Sequence, residues 1–599
     1  MRDSDIKVVG CEKIMKSFYL IKPYLSEKRL VIVLGLVFLI TVDFLQLFIP
    51  RIIKWAIDDL TGYRIDKTSL LIYALYIVGI AVLIGIFRYL WRRCLLGTSR
   101  RVEEGLRNRL FAHLQTLSAS YFDKAKTGDL MAHATNDIQN VRMATGMGMV
   151  ALTDAVVLGT AAIGFMLYIN VKLTLFVLIP MPMIVFGARF FSKKMHRGYD
   201  AVQRAFSELT EVVRERFTGI RMIKAYNREQ EASSRTESVS KDYVKKNLAL
   251  VRITGSFSPM MILFSNISLA IVLFLGGRQT ITFTITPGDF VAFISYLGLL
   301  TWPMMATGWV TNLIQRGKAS LNRIDRIIQE KPTIDDPPEP VILKHVKGSI
   351  GLNSVTFSYK PYGPSSGTSP VLDRIDLDIK QGSVLGIVGP PGSGKSTLLS
   401  LILRIYDVGE GSITLDGVDI RKIQISRLRS MISYMPQEPF LFAGTIRENI
   451  TFDNQKTNGS KLIQVTEQAS FSETVGTFPD GFETIVGEKG IVLSGGQKQR
   501  VALARMLLKD AAVMILDDPI SQVDLKTGDE IVNTIRSMAG KKTIIIVSHR
   551  LSAIRFADRI ISLDRGRITE SGTHAELMKN NQYYAKTFRL QEVEEEYAY

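Results

Sequence analysis

The sequence predicts a chain in two unlike halves: an all-α half with six membrane-crossing helices, then an α/β half around a mostly parallel sheet. Three observations carry this. Long apolar runs almost free of charge are confined to residues 30–311. Beyond residue 349, short strand-like runs alternate with helical ones. One of those strands runs straight into a glycine-rich loop that opens a helix.

At 599 residues the chain exceeds one ordinary domain. Its net charge of +17 suits either nucleic acid or a membrane surface, and the distribution of that charge favours the membrane. Two cysteines, Cys11 and Cys94, cannot build a disulfide framework, and both fall in segments expected to face the cytosol. The polar, basic N-terminus lacks the apolar core and cleavage site of a signal peptide.

An apolar core of about 30 Å takes roughly 20 helical residues to cross. Six stretches qualify: 30–50, 69–91, 146–169, 171–192, 254–277 and 289–311. The first contains Asp43 and the third Asp154; an acid in lipid is costly, and it either serves function or faces a helix partner. The connections alternate between short (51–68, 170, 278–288) and long (92–145, 193–253). Lys and Arg number 9 in 92–144 and 13 in 193–250, against 4 in 51–68, 1 in 170–172 and 1 in 277–288. Positive residues mark the cytosolic side, so both termini and both long connections are expected there, in a cytoplasmic membrane. Helices continuing through the long connections would project tens of ångströms beyond the bilayer.

A proline- and charge-rich linker is expected over 329–348. Beyond it SVLGIVG feeds into GPPGSGKST, Gly389 to Thr397, matching G-x-x-x-x-G-K-[ST] in strand–loop–helix context. The loop Gly389, Pro390, Pro391, Gly392, Ser393, Gly394, Lys395, Ser396, Thr397 is the predicted nucleotide cradle. Its glycines let the backbone curl around phosphate oxygens, Lys395 reaches the outer phosphates and the Ser396 hydroxyl can ligate Mg²⁺. Pro390 and Pro391 donate no amide but precede the arc that makes most of the contacts. Downstream, VMILD ends in Asp517, the acid expected to hold Mg²⁺ with Ser396. Asp518, one step on, stands where a residue could polarise an attacking water.

A further element is LSGGQKQRVALARMLL, which sets Ser494, Gly495, Gly496 and Gln497 at the start of a long helix. LSGGQ about a hundred residues after a P-loop resembles the signature of ATP-binding cassette (ABC) transporters. Six spans followed by one cassette resemble a half-transporter of the bacterial multidrug and lipid exporter class, over residues 15 to 590. The resemblance implies a transmembrane domain of the ABC exporter type followed by an α/β P-loop nucleotide-binding domain, with ATP and Mg²⁺ as cofactors. It implies boundaries at 1–28 (N-terminal elbow), 29–328 (membrane domain), 349–590 (nucleotide-binding domain) and 591–599 (tail). Tyr359 matches the aromatic that stacks on adenine. Gln437 matches the glutamine that senses Mg²⁺ and the attacking water. Residues 484–490 match the segment before the signature, Asp524 the loop that crosses the dimer interface, and His549 the histidine that meets the γ-phosphate. Segments 127–141 and 218–231 resemble the cytosolic loops whose short transverse helices dock on the cassettes.

The same resemblance implies a dimer in which each ATP lies between one P-loop and the other subunit's signature, with no nucleic-acid partner. At the position after the Mg²⁺ acid the family carries a catalytic glutamate, and this chain carries Asp518. One methylene is about 1.5 Å, and a misplacement of about 1 Å can cost on the order of 10²-fold in rate. The expectation is a chain that hydrolyses weakly at its own P-loop and lends an intact signature to a different half-transporter. The alternatives are a homodimeric lipid flippase with slow hydrolysis and an ATP-gated, channel-like subunit. A soluble cassette protein of DNA repair or translation is excluded by the six spans.

Overall fold

The computed structural model describes residues 17–62, 66–343, 345–359, 369–452, 457–487, 490 and 492–597. Cys11, most of the expected elbow 1–28, residues 488–489 of the 484–490 segment and the last two residues of the tail lie outside them. Two compact units emerge, Met1–Thr116 with Thr127–Glu330, and Leu117–Lys126 with Lys331–Tyr599.

The first unit is helical. Its principal helices are α1 (Arg29–Thr61), α2 (Lys67–Trp91), α3 (Met149–Ile169), α4 (Met181–Thr218), α5 (Glu229–Ile271) and α6 (Pro287–Gln329). α1 buries Gly35, Leu39, Val42, Asp43 and Leu47, one side of the helix at three- and four-residue spacing. The core gathers Leu47 of α1, Leu158 and Met166 of α3, and Phe293 and Tyr296 of α6. Tyr296 donates its hydroxyl to the Leu47 carbonyl at 3.0 Å, so even this buried phenol is satisfied. α6 starts from a capping box in which Thr286 and Asp289 satisfy each other's backbone.

Among the described residues, five helices are long and apolar enough to cross a membrane. The fourth expected span, 171–192, is divided. A helix Val171–Leu178, capped by the Asn170 side chain, ends before Pro180, where α4 begins. Proline clashes with the preceding turn and donates no amide. Beyond the apolar runs, helicity continues without a break from α4 to Thr218 and through α5 from Glu229, as the long connections predict.

The two loop segments expected to carry short transverse helices both lie in the helical unit. Residues 127–141 belong to the helical unit, where the Asp137 carboxylate accepts from Arg323 Nε at 2.9 Å and from the Ser320 hydroxyl at 2.8 Å. The short helix that groups with the second unit lies just upstream, Ala119–Phe122. Residues 218–231 do contain a short helix, Ile220–Ala225, and it belongs to the helical unit.

The second unit is built on β1 (Ile350–Phe357), β2 (Leu372–Ile379), β3 (Val384–Val388), β4 (Glu410–Leu415), β5 (Val418–Asp419), β6 (Ile432–Met435), β7 (Val513–Asp517), β8 (Thr543–Val547), β9 (Arg559–Asp564) and β10 (Arg567–Gly572). Its main helices are α7 (Lys395–Ile402), α8 (Gly495–Leu508) and α9 (Leu525–Ser537). An antiparallel sheet runs β2-β1-β4-β5, and a six-stranded sheet runs β10-β9-β3-β8-β7-β6. In the latter only β10 is antiparallel. Every residue of β3, β7 and β8 is buried, which explains why those strands read as unbroken apolar runs.

Candidate functional site

Register decides what meets at the sheet's edge. Val547 pairs with both Asp517 and Ile387, so β7, β8 and β3 end level with one another. The residues that follow them are Asp518, His549 and the P-loop. β6 ends beside them and delivers the exposed Gln437 two residues on. In open α/β sheets ligands bind outside the carboxyl ends of the strands, and the sequence-expected groups converge there.

The P-loop is shaped for an anion. Gly394 caps α7 with φ +102°, a left-handed conformation that a side chain would strain, and no side chain covers the first amides of the helix. Lys395 is buried and donates Nζ to the carbonyls of Gly389 at 2.8 Å and Pro390 at 2.9 Å. Burial pulls its ammonium below the ordinary value, while Asp517 and Asp518 oppose that shift. Burial raises the Asp517 carboxyl, and a hydrogen bond from the Ser396 hydroxyl counters it. The Ser393 hydroxyl is buried with no hydrogen-bond partner among the described residues.

These features fit a nucleotide polyphosphate with Mg²⁺: an uncapped helix start, an ammonium, an orphaned hydroxyl and a Ser–Asp pair. Mg²⁺ is typically held by one or two side chains plus phosphate oxygens, and it would neutralise charge on the phosphates. Ser396 and Asp517 are the side chains that would hold it.

Asp518 adopts φ +55°, an uncommon conformation to which aspartate is better suited than most residues. Its amide donates to the Val547 carbonyl at 2.8 Å. Its carboxylate accepts from the His549 amide at 3.3 Å and the Ser548 hydroxyl at 3.4 Å. Gln499 of α8 donates Nε2 to the Asp518 carbonyl at 3.2 Å and accepts at Oε1 from the Gln522 amide at 3.0 Å. Ser548, Gln499 and Gln522 do not stand out in the sequence. Their contacts with Asp518 and with one another join segments distant in the chain, which no residue pattern reveals.

The signature stands apart from this anion cradle in its contacts. Ser494 caps α8 in a box with Gln497, whose amide donates to the serine hydroxyl at 3.3 Å and whose Oε1 accepts from the Ser494 amide at 2.8 Å. A Cβ on Gly496 would lie 2.6 Å from the Gln522 carbonyl oxygen, so glycine permits the close approach. Asp524 caps α9 by accepting from the Thr527 amide at 3.0 Å, which holds its carboxyl below the usual range.

Tyr359, 41% exposed, meets Phe357 and Tyr406 edge-on, with ring centroids 5.0 and 5.3 Å away. Its hydroxyl and that of Thr397 share a hydrogen bond at 3.1 Å. Tyr406 in turn donates to the Asp123 carboxylate at 2.9 Å, linking this aromatic group to the 119–122 helix within the same unit. Burial and Asp123 together push the Tyr406 phenol up. Tyr406 and Asp123 carry no motif, and sequence reasoning passes over both.

Residues 32–304 match the ABC transporter transmembrane region and residues 372–521 the ABC transporter cassette. The "Probable multidrug resistance ABC transporter ATP-binding/permease protein YheI" of Bacillus subtilis is 37% identical, over 94% of this chain and 95% of its own length. The chain belongs to the ABC transporter family. The multidrug resistance-like ATP-binding protein MdlA of Escherichia coli is 36% identical over 93% of each chain. A solved bacterial Atm1-family ABC exporter with ATP bound superposes with a TM-score of 0.75 at 25% identity, over 95% of this chain and 98% of that one. This ABC transporter is therefore a multi-pass membrane half-exporter with an ATP-hydrolysing domain, and it works as a dimer with another half-transporter.

Proposed function

We propose that this ABC half-exporter moves hydrophobic or amphipathic compounds out across the cytoplasmic membrane, paired with a different half-transporter. In this reading its own P-loop site binds ATP firmly and cleaves it slowly. Its signature, Ser494 to Gln497, completes the partner's site. Tyr359 stacks the adenine. Gly389–Thr397 cradles the phosphates. Ser396, Asp517 and Gln437 serve Mg²⁺, and His549 meets the γ-phosphate.

One observation carries the asymmetry. The residue after the Mg²⁺ acid is an aspartate whose short carboxylate is engaged by the Ser548 hydroxyl and the His549 amide at the end of β8. A general base must come within hydrogen-bond reach of the water it activates. Compound class rests on what the names of YheI and MdlA say of those proteins. The expected ATPase of this chain alone is slow, and co-expression with the neighbouring-gene half-transporter raises it. Asp518→Ala leaves the paired rate nearly unchanged. Brisk hydrolysis by this chain alone that Asp518→Ala abolishes overturns the reading.

A further inference from the structure

The helical unit carries a cleft of about 600 Å³ between α1 and α3 that nothing above uses. Its walls include Phe44, Phe48, Arg51 and Trp55 of α1 with Phe165 and Tyr168 of α3. The floor is braced: Phe165 stacks on Tyr296 with centroids 5.4 Å apart, and Tyr296 is pinned to the Leu47 carbonyl.

Arg51 closes one end. Its guanidinium lies 5.3 Å from the Tyr168 ring centroid and 5.8 Å from that of Trp55. Among the described residues it has no carboxylate partner, whereas Lys54, one turn on, pairs with Asp289. Stacked rings engage the faces of a guanidinium and leave its N–H edge free to donate two parallel hydrogen bonds to an oxyanion. Arg51 directly follows the apolar run 30–50, where a bilayer's hydrocarbon gives way to headgroups.

We propose that this cleft binds a phospholipid, with its phosphate on Arg51 and an acyl chain along Phe44, Phe48 and Phe165. Each half of the cleft calls for one half of such a molecule. An uncompensated cation beside hydrocarbon is costly, and an oxyanion relieves it. The aromatic wall next to it offers apolar area that a free anion cannot use. A cationic amphiphile would meet Arg51 as a like charge. The site stands whether the exported cargo is a drug or a lipid.

The test uses the complete dimer, the full-length chain with its partner half, in native mass spectrometry. The lipid probes are phosphatidylglycerol and diglucosyldiacylglycerol, which has no phosphate. Phosphatidylglycerol should be retained at about tenfold lower concentration than the glycolipid, as expected for one charge-assisted contact. Arg51→Ala should erase that tenfold preference, and Arg51→Lys should keep part of it. An added Cβ at Gly164, a cleft-lining residue, meets nothing within 4 Å. Gly164→Leu should therefore fill the cleft in a folded protein and weaken retention of both lipids. Equal retention of the two lipids by wild type overturns the proposal, as does unchanged phosphatidylglycerol retention in folded Gly164→Leu. Displacement of the lipid by inorganic phosphate would mark a free-anion site and also overturn it. Loss of the partner half from Arg51→Ala would make the cleft a subunit interface, which overturns it too.

Discussion

Two helix starts in the nucleotide-binding unit are built from similar residues and do opposite things. α7 begins at Gly394 with no side-chain cap, beside a buried ammonium and the orphaned Ser393 hydroxyl. α8 begins at Ser494 with a complete capping box, exposed, and with its glycines laid against Gln522. Free amides at a helix start attract an anion, while a capped start has already satisfied two of its own donors. The first is a binding site within one chain. The second is an exposed start whose first donors are already met by its own side chains.

The sharpest way to break the contrast is to remove the charge from the first start. Lys395→Ala should weaken ATP binding by about 10²-fold, the scale of a charge-assisted contact near 3 kcal/mol. Titration with a fluorescent ATP analogue reads this directly. An affinity kept within threefold would mean that the α7 start is not where the phosphates sit.

The second start should respond in rate and not in affinity. Gly496→Ala drives a methyl group toward the Gln522 carbonyl, which is backbone and cannot swing aside. A shift of about 1 Å in the signature should lower turnover of the paired transporter by about 10²-fold. ATP affinity at this chain's P-loop should stay within threefold. A parallel loss of affinity would show that the two helix starts act on one nucleotide in the same chain.

Asp518 lies between them, tied to α8 through Gln499 and to β8 through the Val547 carbonyl. Asp518→Glu restores the missing methylene and should raise single-turnover hydrolysis at this site, by up to about tenfold of the reach penalty. No change would place the limiting defect in the partner's signature.

What could be read in advance follows the range of each interaction. The P-loop, the Asp517 strand and LSGGQ are contiguous segments whose chemistry is fixed by local spacing, and the level ends of β3, β7 and β8 bring the first two together. The apolar runs are equally legible, though the break at Pro180 divides the fourth of them, and the Pro-Met-Pro sequence at 180–182 carries that signal. Asp123 and Tyr406 are 283 positions apart and neither stands in a recognisable pattern. That tie places the helix Ala119–Phe122 with the nucleotide-binding unit, and no local pattern announces it. The φ +55° of Asp518 belongs to the same class, since it depends on the strand alongside.

The smallest effect separates caps by their chemistry. Ser494 and Asp524 both cap helices around the signature, and losing either cap should cost about 1 kcal/mol of stability. Only Asp524 titrates. The Thr527 amide holds its carboxyl below the unfolded value, so its contribution is complete above the usual carboxylate range near 3.9 and is lost as pH falls through the lower folded value. Denaturant titrations of the wild type and Asp524→Ala should therefore differ at pH 7 and converge under acid. The difference between wild type and Ser494→Ala should hold steady across that range. If both differences fade together in acid, the α8 start is held by charge and not by its serine box, and the contrast with α7 loses its basis.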